Sequence, residues 1–343
     1  MLMGTLPASA QVPHCTPTAI EDRALEVALG KVTAAHHGRV AFYAERLGGP
    51  GAAPLRAAQD ADLPVQTASV IKLGILYESM LAIREGRAHW DEKIELQPGD
   101  AVPGSGVLTF LDAPLTLTLK DVLTLMVILS DNSATNLAID RLGLAAVNAR
   151  MESLGLKQTH LYKKVFKPAD GPMPADQPRF GLGKTTPREM ARLMTLIGEC
   201  RIRPAADGSG TLLAPDDQDL AVCAVALKML KSQFSRDTIP RYLPNGGDQS
   251  VASKTGSLDA VRNDVAIVMG KDATGNPAPM VLSIFTFDNT DHGWTVDNEA
   301  ELTIARLAKT IVDAWSPLGL DAKALTPGLG LAAAVSCSPG DTR

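Results

Sequence analysis

The chain has 343 residues, 45% hydrophobic and 21% charged, enough apolar material to bury a large core as one domain or two interlocked ones. A formal net charge of -5 with no basic stripe argues against a nucleic-acid partner. No apolar run approaches the roughly 20 residues needed to span a bilayer.

Near the start, Ala8-Ser9-Ala10 resembles the small-residue cleavage site of an export signal. The basic start and the full apolar stretch are missing. Residues 1–18 therefore read as a clipped export leader, which implies a periplasmic or secreted protein, or else as an ordinary disordered terminus. An amphipathic helix is expected over 19–35, where Ile20, Leu25, Val27, Ala28 and Val32 share one stripe. A strand follows over 39–47, then a Gly/Pro turn at 48–53 into a weaker strand. Residues 69–85 read as a strong helix and 91–105 as loop. Further helices are expected at 119–129, 134–142 and 145–154. The stretch 162–184 is rich in Pro, Gly and Lys and reads as a long surface loop, a kind usually functional within a compact domain. Thr185-Thr186-Pro187-Arg188-Glu189 is a helix-start signature. Helices over 188–200 and 216–231 complete a helical block. Strand-like runs at 249–257, 261–269 and 280–287 imply an antiparallel sheet, a closing helix covers 298–315, and the Pro/Gly/Ala-rich end reads as a mobile tail.

Four cysteines, Cys15, Cys200, Cys223 and Cys337, show no C-x-x-C pair, which disfavours zinc and thioredoxin-type chemistry. Two readings stay open: a disulfide joining Cys15 and Cys337 near the chain ends, and buried free thiols, which suit Cys200 and Cys223 in apolar helical patterns. His36 and His37 are adjacent, so their rings point to different faces and a shared metal is disfavoured. Nothing in the sequence calls for a cofactor.

The chemistry is concentrated in three strings, Ser69-Val-Ile-Lys72, Ser130-Asp131-Asn132 and Lys254-Thr255-Gly256. A serine is a poor nucleophile until something takes its proton. Ser69 and Lys72, three apart at a helix start, share a face, and the helix N-terminus favours a developing alkoxide. An ammonium accepts no proton, so Lys72 either has its pKa lowered by burial and by Lys254 or stays charged and acts electrostatically. Ser130 sits between two helical segments, where its hydroxyl is able to relay a proton, and Asn132 offers an amide to substrate. Asp131 reads as a brace for the corner. Strand alternation puts Lys254 and Gly256 on one side and Thr255 on the other, and Gly256 allows close approach of a substrate backbone. The N–H groups of Ser69 and Ser257 are candidates for an oxyanion hole. Arg262 is either a bidentate partner for a substrate carboxylate or one half of a strand-edge salt bridge with Asp264.

Together these motifs, their order and the layout resemble the penicillin-recognising serine hydrolases, specifically class A β-lactamases and their close relatives. The likeness spans about residues 19–315 and includes Gly104-Ser105-Gly106-Val107-Leu108. The resemblance implies that Ser69 is acylated by a β-lactam amide, that Lys72 assists and that Ser130 relays a proton. It also implies that Lys254 helps hold the substrate carboxylate, with Ser105, Asn132, Thr255, Gly256 and Ser257 lining the substrate site. The implied fold is α+β: an antiparallel five-stranded sheet flanked by helices, with an inserted all-helical lobe. The expected domains are 19–66 with 236–316 for the sandwich and 67–235 for the helical lobe, with 317–343 as the C-terminal tail.

One departure matters. Class A β-lactamases carry a glutamate, followed by Leu-Asn, in the loop before the T-T-P helix, and it activates the water that releases the acyl group. Between Leu161 and Arg188 this chain has only Asp170 and Asp176 as carboxylates. Slow deacylation is the expectation. Three functions follow: β-lactam hydrolysis through acyl-Ser69, a penicillin-binding D-Ala-D-Ala peptidase-like or esterase acyl-enzyme, and a catalytically silent binding protein with the same fold. Against the third, Ser69, Lys72, Ser130 and Lys254 are all intact.

Overall fold

The computed structural model describes residues 18–49, 53–207 and 209–329. Its centre is a six-stranded sheet of β1 (Ile20–Glu21), β2 (Arg39–Arg46), β3 (Leu55–Gln59), β9 (Val251–Leu258), β10 (Val261–Lys271) and β11 (Pro277–Phe287). The order is β1-β3-β2-β11-β10-β9. All pairings are antiparallel except β1 with β3. The expected count of five strands is thus corrected to six. The extra one is a two-residue strand just before α1 (Arg23–Ala34), in a stretch whose apolar spacing reads as helix. Asp22 fixes the true helix start by accepting from the Leu25 N–H.

The central strands are covered on both faces, which explains their nearly unbroken apolar runs. Phe42, Ala266, Val268, Leu282 and Ile284 pack against α1 and the closing helix α9 (Glu299–Trp315). The alternate residues Tyr43, Val265, Ile267 and Phe285 belong to the larger core shared with the helical block.

That block begins after β4 (Val65–Gln66) with a short 3-10 turn over Ala68–Ile71 that runs directly into α2 (Lys72–Arg84). Eleven consecutive residues of α2, Lys72 to Ala82, are buried, so it is the axis of the lobe rather than a surface helix. A hairpin of β5 (Lys93–Leu96) and β6 (Leu115–Thr118) precedes α3 (Leu119–Ile128), α4 (Asn132–Leu142) and α5 (Leu144–Ser153). The long loop is held at its neck by β7 (His160–Leu161) and β8 (Gly183–Thr185), which join β4 in a small sheet. It carries a single turn, α6 (Gln177–Phe180). Helices α7 (Pro187–Gly198), capped by Thr186, and α8 (Asp217–Lys231), closed by an Asp216/Asp219 capping box, complete the lobe.

Cys200 and Cys223 are buried free thiols, while Cys15, Cys337 and the leader lie outside the described residues. The segment after α9 corrects the expectation of a mobile tail for its described part. Leu320 bridges to Gly270 at the end of β10, the Gly328 N–H donates to Gly198 O, and Leu325 and Leu329 are buried in the larger core. Its Pro and Gly content encodes turns between buried leucines rather than disorder. Among the described residues no helix is long and apolar enough to cross a membrane.

Candidate active site

The site forms where the 3-10 turn, the α3–α4 corner and the edge strand β9 meet. Ser69 is half-buried in the turn, three residues before the first turn of α2. Its predecessor Ala68 has a left-handed backbone, φ 44°, and so does Ser130 at the corner, φ 56°. Non-glycine residues in that region cost about 1–3 kcal/mol each, and such strain persists only where the surroundings enforce it.

The enforcement is visible on both sides. Gly256 of β9 lies so close to the turn that an added Cβ would stand 2.8 Å from Ser69 N, 2.8 Å from Thr67 O and 2.9 Å from Val70 N. Only glycine permits that approach. Asn263, paired with Gly256 across the ladder, donates its amide to Gln66 O (2.9 Å) and Thr67 O (3.2 Å), tying the turn to the sheet. At the corner, Asp131 braces the backbone as expected. One carboxylate oxygen accepts from Ala134 N and caps α4, and the other accepts from Val107 N (2.7 Å) and Leu108 N (2.9 Å). Ser105 is exposed, and its carbonyl receives the Asn132 N–H at 3.0 Å.

Two lysines converge on Ser130. Lys72 Nζ donates to Ser130 Oγ (3.1 Å), Ser130 O (2.8 Å) and Asn132 Oδ1 (3.1 Å). Lys254 Nζ donates to Ser130 Oγ (3.0 Å) and Thr255 O (2.7 Å). Both lysines are fully buried. Burial, reinforced by the neighbouring Lys254, pushes Lys72 well below the ordinary lysine range. Burial likewise brings Lys254 down to about 7, opposed by the Asp264 carboxylate. A neutral amine capable of accepting a proton is therefore accessible near neutral pH at Lys254, and burial favours the neutral form of Lys72 as well.

Thus the structure brings Lys72, Ser130, Asn132 and Lys254 into one hydrogen-bonded cluster and sets Gly256 against the Ser69 turn. β9 ends the sheet, so part of its backbone, including the stretch from Thr255 to Ser257, faces the turn instead of a neighbouring strand. Arg262 is placed differently. Its side chain is 1% exposed, bonded to Glu301 (3.2 Å), Gly293 O (2.7 Å) and Leu258 O, and covered by the Trp294 ring at 4.5 Å. Its donors are committed within the protein, to Glu301 and to backbone carbonyls, and the ion pair it makes is with Glu301 rather than with Asp264.

The long loop is attached through Asn136, whose amide accepts from Val165 N (2.8 Å) and donates to Val165 O (3.0 Å). Of its two carboxylates, Asp176 is engaged by Lys184 (2.9 Å) and the Tyr162 hydroxyl (3.3 Å). Asp170 lines a surface pocket of about 240 Å³ with Asp100, Asn136, Asp140, Lys164 and Lys167. Sequence reasoning missed Asn136 and Asn263. Both are asparagines of ordinary appearance, and their roles arise from contacts with segments 29 and about 196 residues away.

A serine in a strained turn, two buried lysines and a relay hydroxyl between them, set at the junction of a sheet and a helical lobe, define a serine hydrolase. The chain belongs to the β-lactamase enzyme family, whose model matches residues 24–315. It is similar to the β-lactamase from Sphaerobacter thermophilus DSM 20745, with 28% identity and a TM-score of 0.65 over 84% of this chain and 96% of that one. At 22% identity it shares the fold of PBP-A (TM-score 0.68, 88% of this chain and 98% of that one). It also shares the fold of an ancestral class A β-lactamase (22% identity, TM-score 0.66, 85% of this chain and 100% of that one). No curated protein sequence matches it. Its function is serine β-lactamase-like.

Proposed function

We propose that the protein opens β-lactams by acylation of Ser69 and releases the acyl group slowly. The observation that carries this is the Ser130 hydroxyl held between Lys72 and Lys254. In the acylation step neutral Lys72 takes the Ser69 proton as Ser69 Oγ bonds to the lactam carbonyl carbon. The carbonyl oxygen becomes an oxyanion facing the N–H groups of Ser69 and Ser257. As the intermediate collapses, the C–N bond breaks. Ser130 gives its proton to the leaving nitrogen and recovers one from Lys72, so the proton that left Ser69 is balanced on the opened ring. Lys254, as ammonium, and Thr255 hold the substrate carboxylate, while Asn132 binds the acyl amide.

Slow release follows from the loop. Asp176 is bound to Lys184 and Tyr162, and no glutamate stands between Leu161 and Arg188. The same observation favours a second reading, a penicillin-binding peptidase-like acyl-enzyme. One of the neighbours of like fold is described as a PBP-A variant in an acyl-enzyme complex with penicillin G, a statement about that protein. A chromogenic cephalosporin combined with intact-protein mass spectrometry separates the readings. Slow turnover through an adduct on Ser69 supports β-lactam hydrolysis, and a permanent adduct supports the peptidase-like reading. Absence of any adduct or turnover refutes both, and rapid turnover without accumulation refutes slow release. Ala8-Ser9-Ala10, read as the remnant of an export leader, is what supports a periplasmic or secreted location.

A further inference from the structure

Phe166, on the long loop, is an aromatic residue that the acylation scheme leaves without a task. Its side chain is well exposed, at 64%, and its backbone is left-handed, φ 54°. A single exposed aromatic needs no explanation. A bulky residue in a backbone region that such residues rarely adopt is held there by its surroundings.

Both of its chain neighbours are pinned. Val165 exchanges two backbone hydrogen bonds with the Asn136 amide of α4, and Lys167 Nζ donates to Gly99 O at 3.1 Å. The ring between them lies against Gly104. A Cβ added to Gly104 would stand 3.2 Å from Phe166 Cε2 and 2.7 Å from Asn132 Nδ2. The ring edge and the Asn132 amide thus face one point, which glycine, φ 91°, leaves clear. The Asn132 amide nitrogen carries two N–H donors. One goes to Pro103 O (3.0 Å), while Oδ1 accepts from Lys72. Among the described residues the second N–H has no partner, and it sits beside an exposed ring.

The contacts of the site run in a fixed order: Lys254, Ser130, Lys72, Asn132, then Gly104 with Phe166. A penicillin or cephalosporin carries its carboxylate at one end of the ring system and its acylamino group at the other. With the carboxylate at Lys254 and the lactam carbonyl at Ser69, the acylamino carbonyl comes to the spare Asn132 N–H. Whatever hangs beyond that carbonyl meets the Phe166 ring.

We infer that Phe166 is a specificity-determining residue that selects β-lactams bearing a flat aryl group on the acyl side chain. The inference rests on the acyl-Ser69 reading and deepens it by naming the side chain that the site prefers. Two rings packed edge-on or offset align their quadrupoles and remove apolar surface from water. An aliphatic or very short side chain forgoes the first gain and most of the second.

The test compares Ser69 acylation by two penicillins on one nucleus. Benzylpenicillin has a phenylacetyl side chain; its partner has an acetyl side chain, which keeps the amide for Asn132 and lacks the ring. Second-order rate constants are read by intact-protein mass spectrometry for the wild type, Phe166→Ala and Phe166→Tyr. The wild type should favour benzylpenicillin by about tenfold. Phe166→Ala should cut that ratio by about fivefold, and Phe166→Tyr, which keeps a ring, should hold it within about twofold of wild type. An equal loss with both penicillins leaves the ratio unmoved, overturns the inference and marks Phe166 as a support of the loop. A wild type without preference overturns it too, and that measurement needs no variant to fold. If neither penicillin forms an adduct with the wild type, the acyl-Ser69 reading fails and this inference fails with it, whereas adducts formed at an unmoved ratio defeat this inference alone.

Discussion

Lys72 and Lys254 reach the same atom from a helix and from a strand, their Nζ atoms 3.1 and 3.0 Å from Ser130 Oγ. Neither lysine has an interaction with solvent to fall back on, because both are fully buried. The hydroxyl between them is therefore the joint of the site, and its removal separates the base from the leaving group. Ser130→Ala is expected to slow Ser69 acylation about 100-fold or more, the usual worth of a positioned proton donor. Time-resolved intact-mass measurement of the adduct checks this. Binding of the unreacted β-lactam should change far less.

Gly256 is the tightest point between sheet and turn. In Gly256→Ala the new Cβ meets three backbone atoms at 2.8–2.9 Å, which a side-chain rearrangement cannot relieve. The turn must move, and Ser69 moves with it. The variant should lose about 1–3 kcal/mol of stability, as overpacked sites do, and acylate at least tenfold more slowly, because small displacements of a nucleophile are expensive. Urea unfolding and adduct kinetics on the same preparation separate the two effects.

Stability should depend on pH with a definite sign. Lys254, at about 7 in the folded state against an ordinary 10.5, binds fewer protons folded than unfolded across that interval. Its contribution therefore makes stability rise as pH climbs from about 7 to about 10. Asp264 acts oppositely: raised to about 6 from 3.8, it binds more protons when folded, so its contribution falls as pH rises through that lower window. Lys254→Met should raise stability at pH 6 by about 1–2 kcal/mol, since an unburied charge costs nothing, and flatten the slope above pH 7 while abolishing acylation. Thermal melts across pH 5–10 check both limbs, and an unchanged slope would contradict the assignment.

Asn136 is the outer anchor of the long loop, holding Val165 through both its N–H and its C=O. Asn136→Ala leaves those two backbone groups without partners, at a cost of about 1–3 kcal/mol. The expected result is faster proteolysis within residues 163–176 and a smaller effect elsewhere. Equal protection of that stretch in variant and wild type would show that the loop is held instead by its other contacts, such as Lys164–Asp140, Lys167–Gly99 O and Lys184–Asp176.

What could be read beforehand follows the range of the interactions. Strong local signals were legible: the Thr186-Pro187 start of α7, the apolar runs of β10 and β11, and the three motif strings whose lysines meet at Ser130. The β5–β6 hairpin was hidden because four-residue strands such as Lys93–Leu96 show too little alternation to stand out from loop. Asn263 escaped a role because its neighbour Arg262 carries the more conspicuous charge, and Asp264, weighed as the ion-pair partner of Arg262, is bonded to Thr238 and Ile239 instead. The described C-terminal segment misled for a different reason. Its composition is that of a linker, and the tertiary contacts of Leu325 and Leu329 override it.

That segment has one more effect. It leaves α9 on one face of the sheet, rounds the tip of β10 at Gly270, and ends among the leucines of the opposite face, with Lys231 donating to Leu325 O on the way. A belt buckled to both halves resists any hinge-like parting of sandwich and lobe. Any such parting would have to break the Gly328–Gly198 hydrogen bond and pull Leu325 and Leu329 out of the larger core.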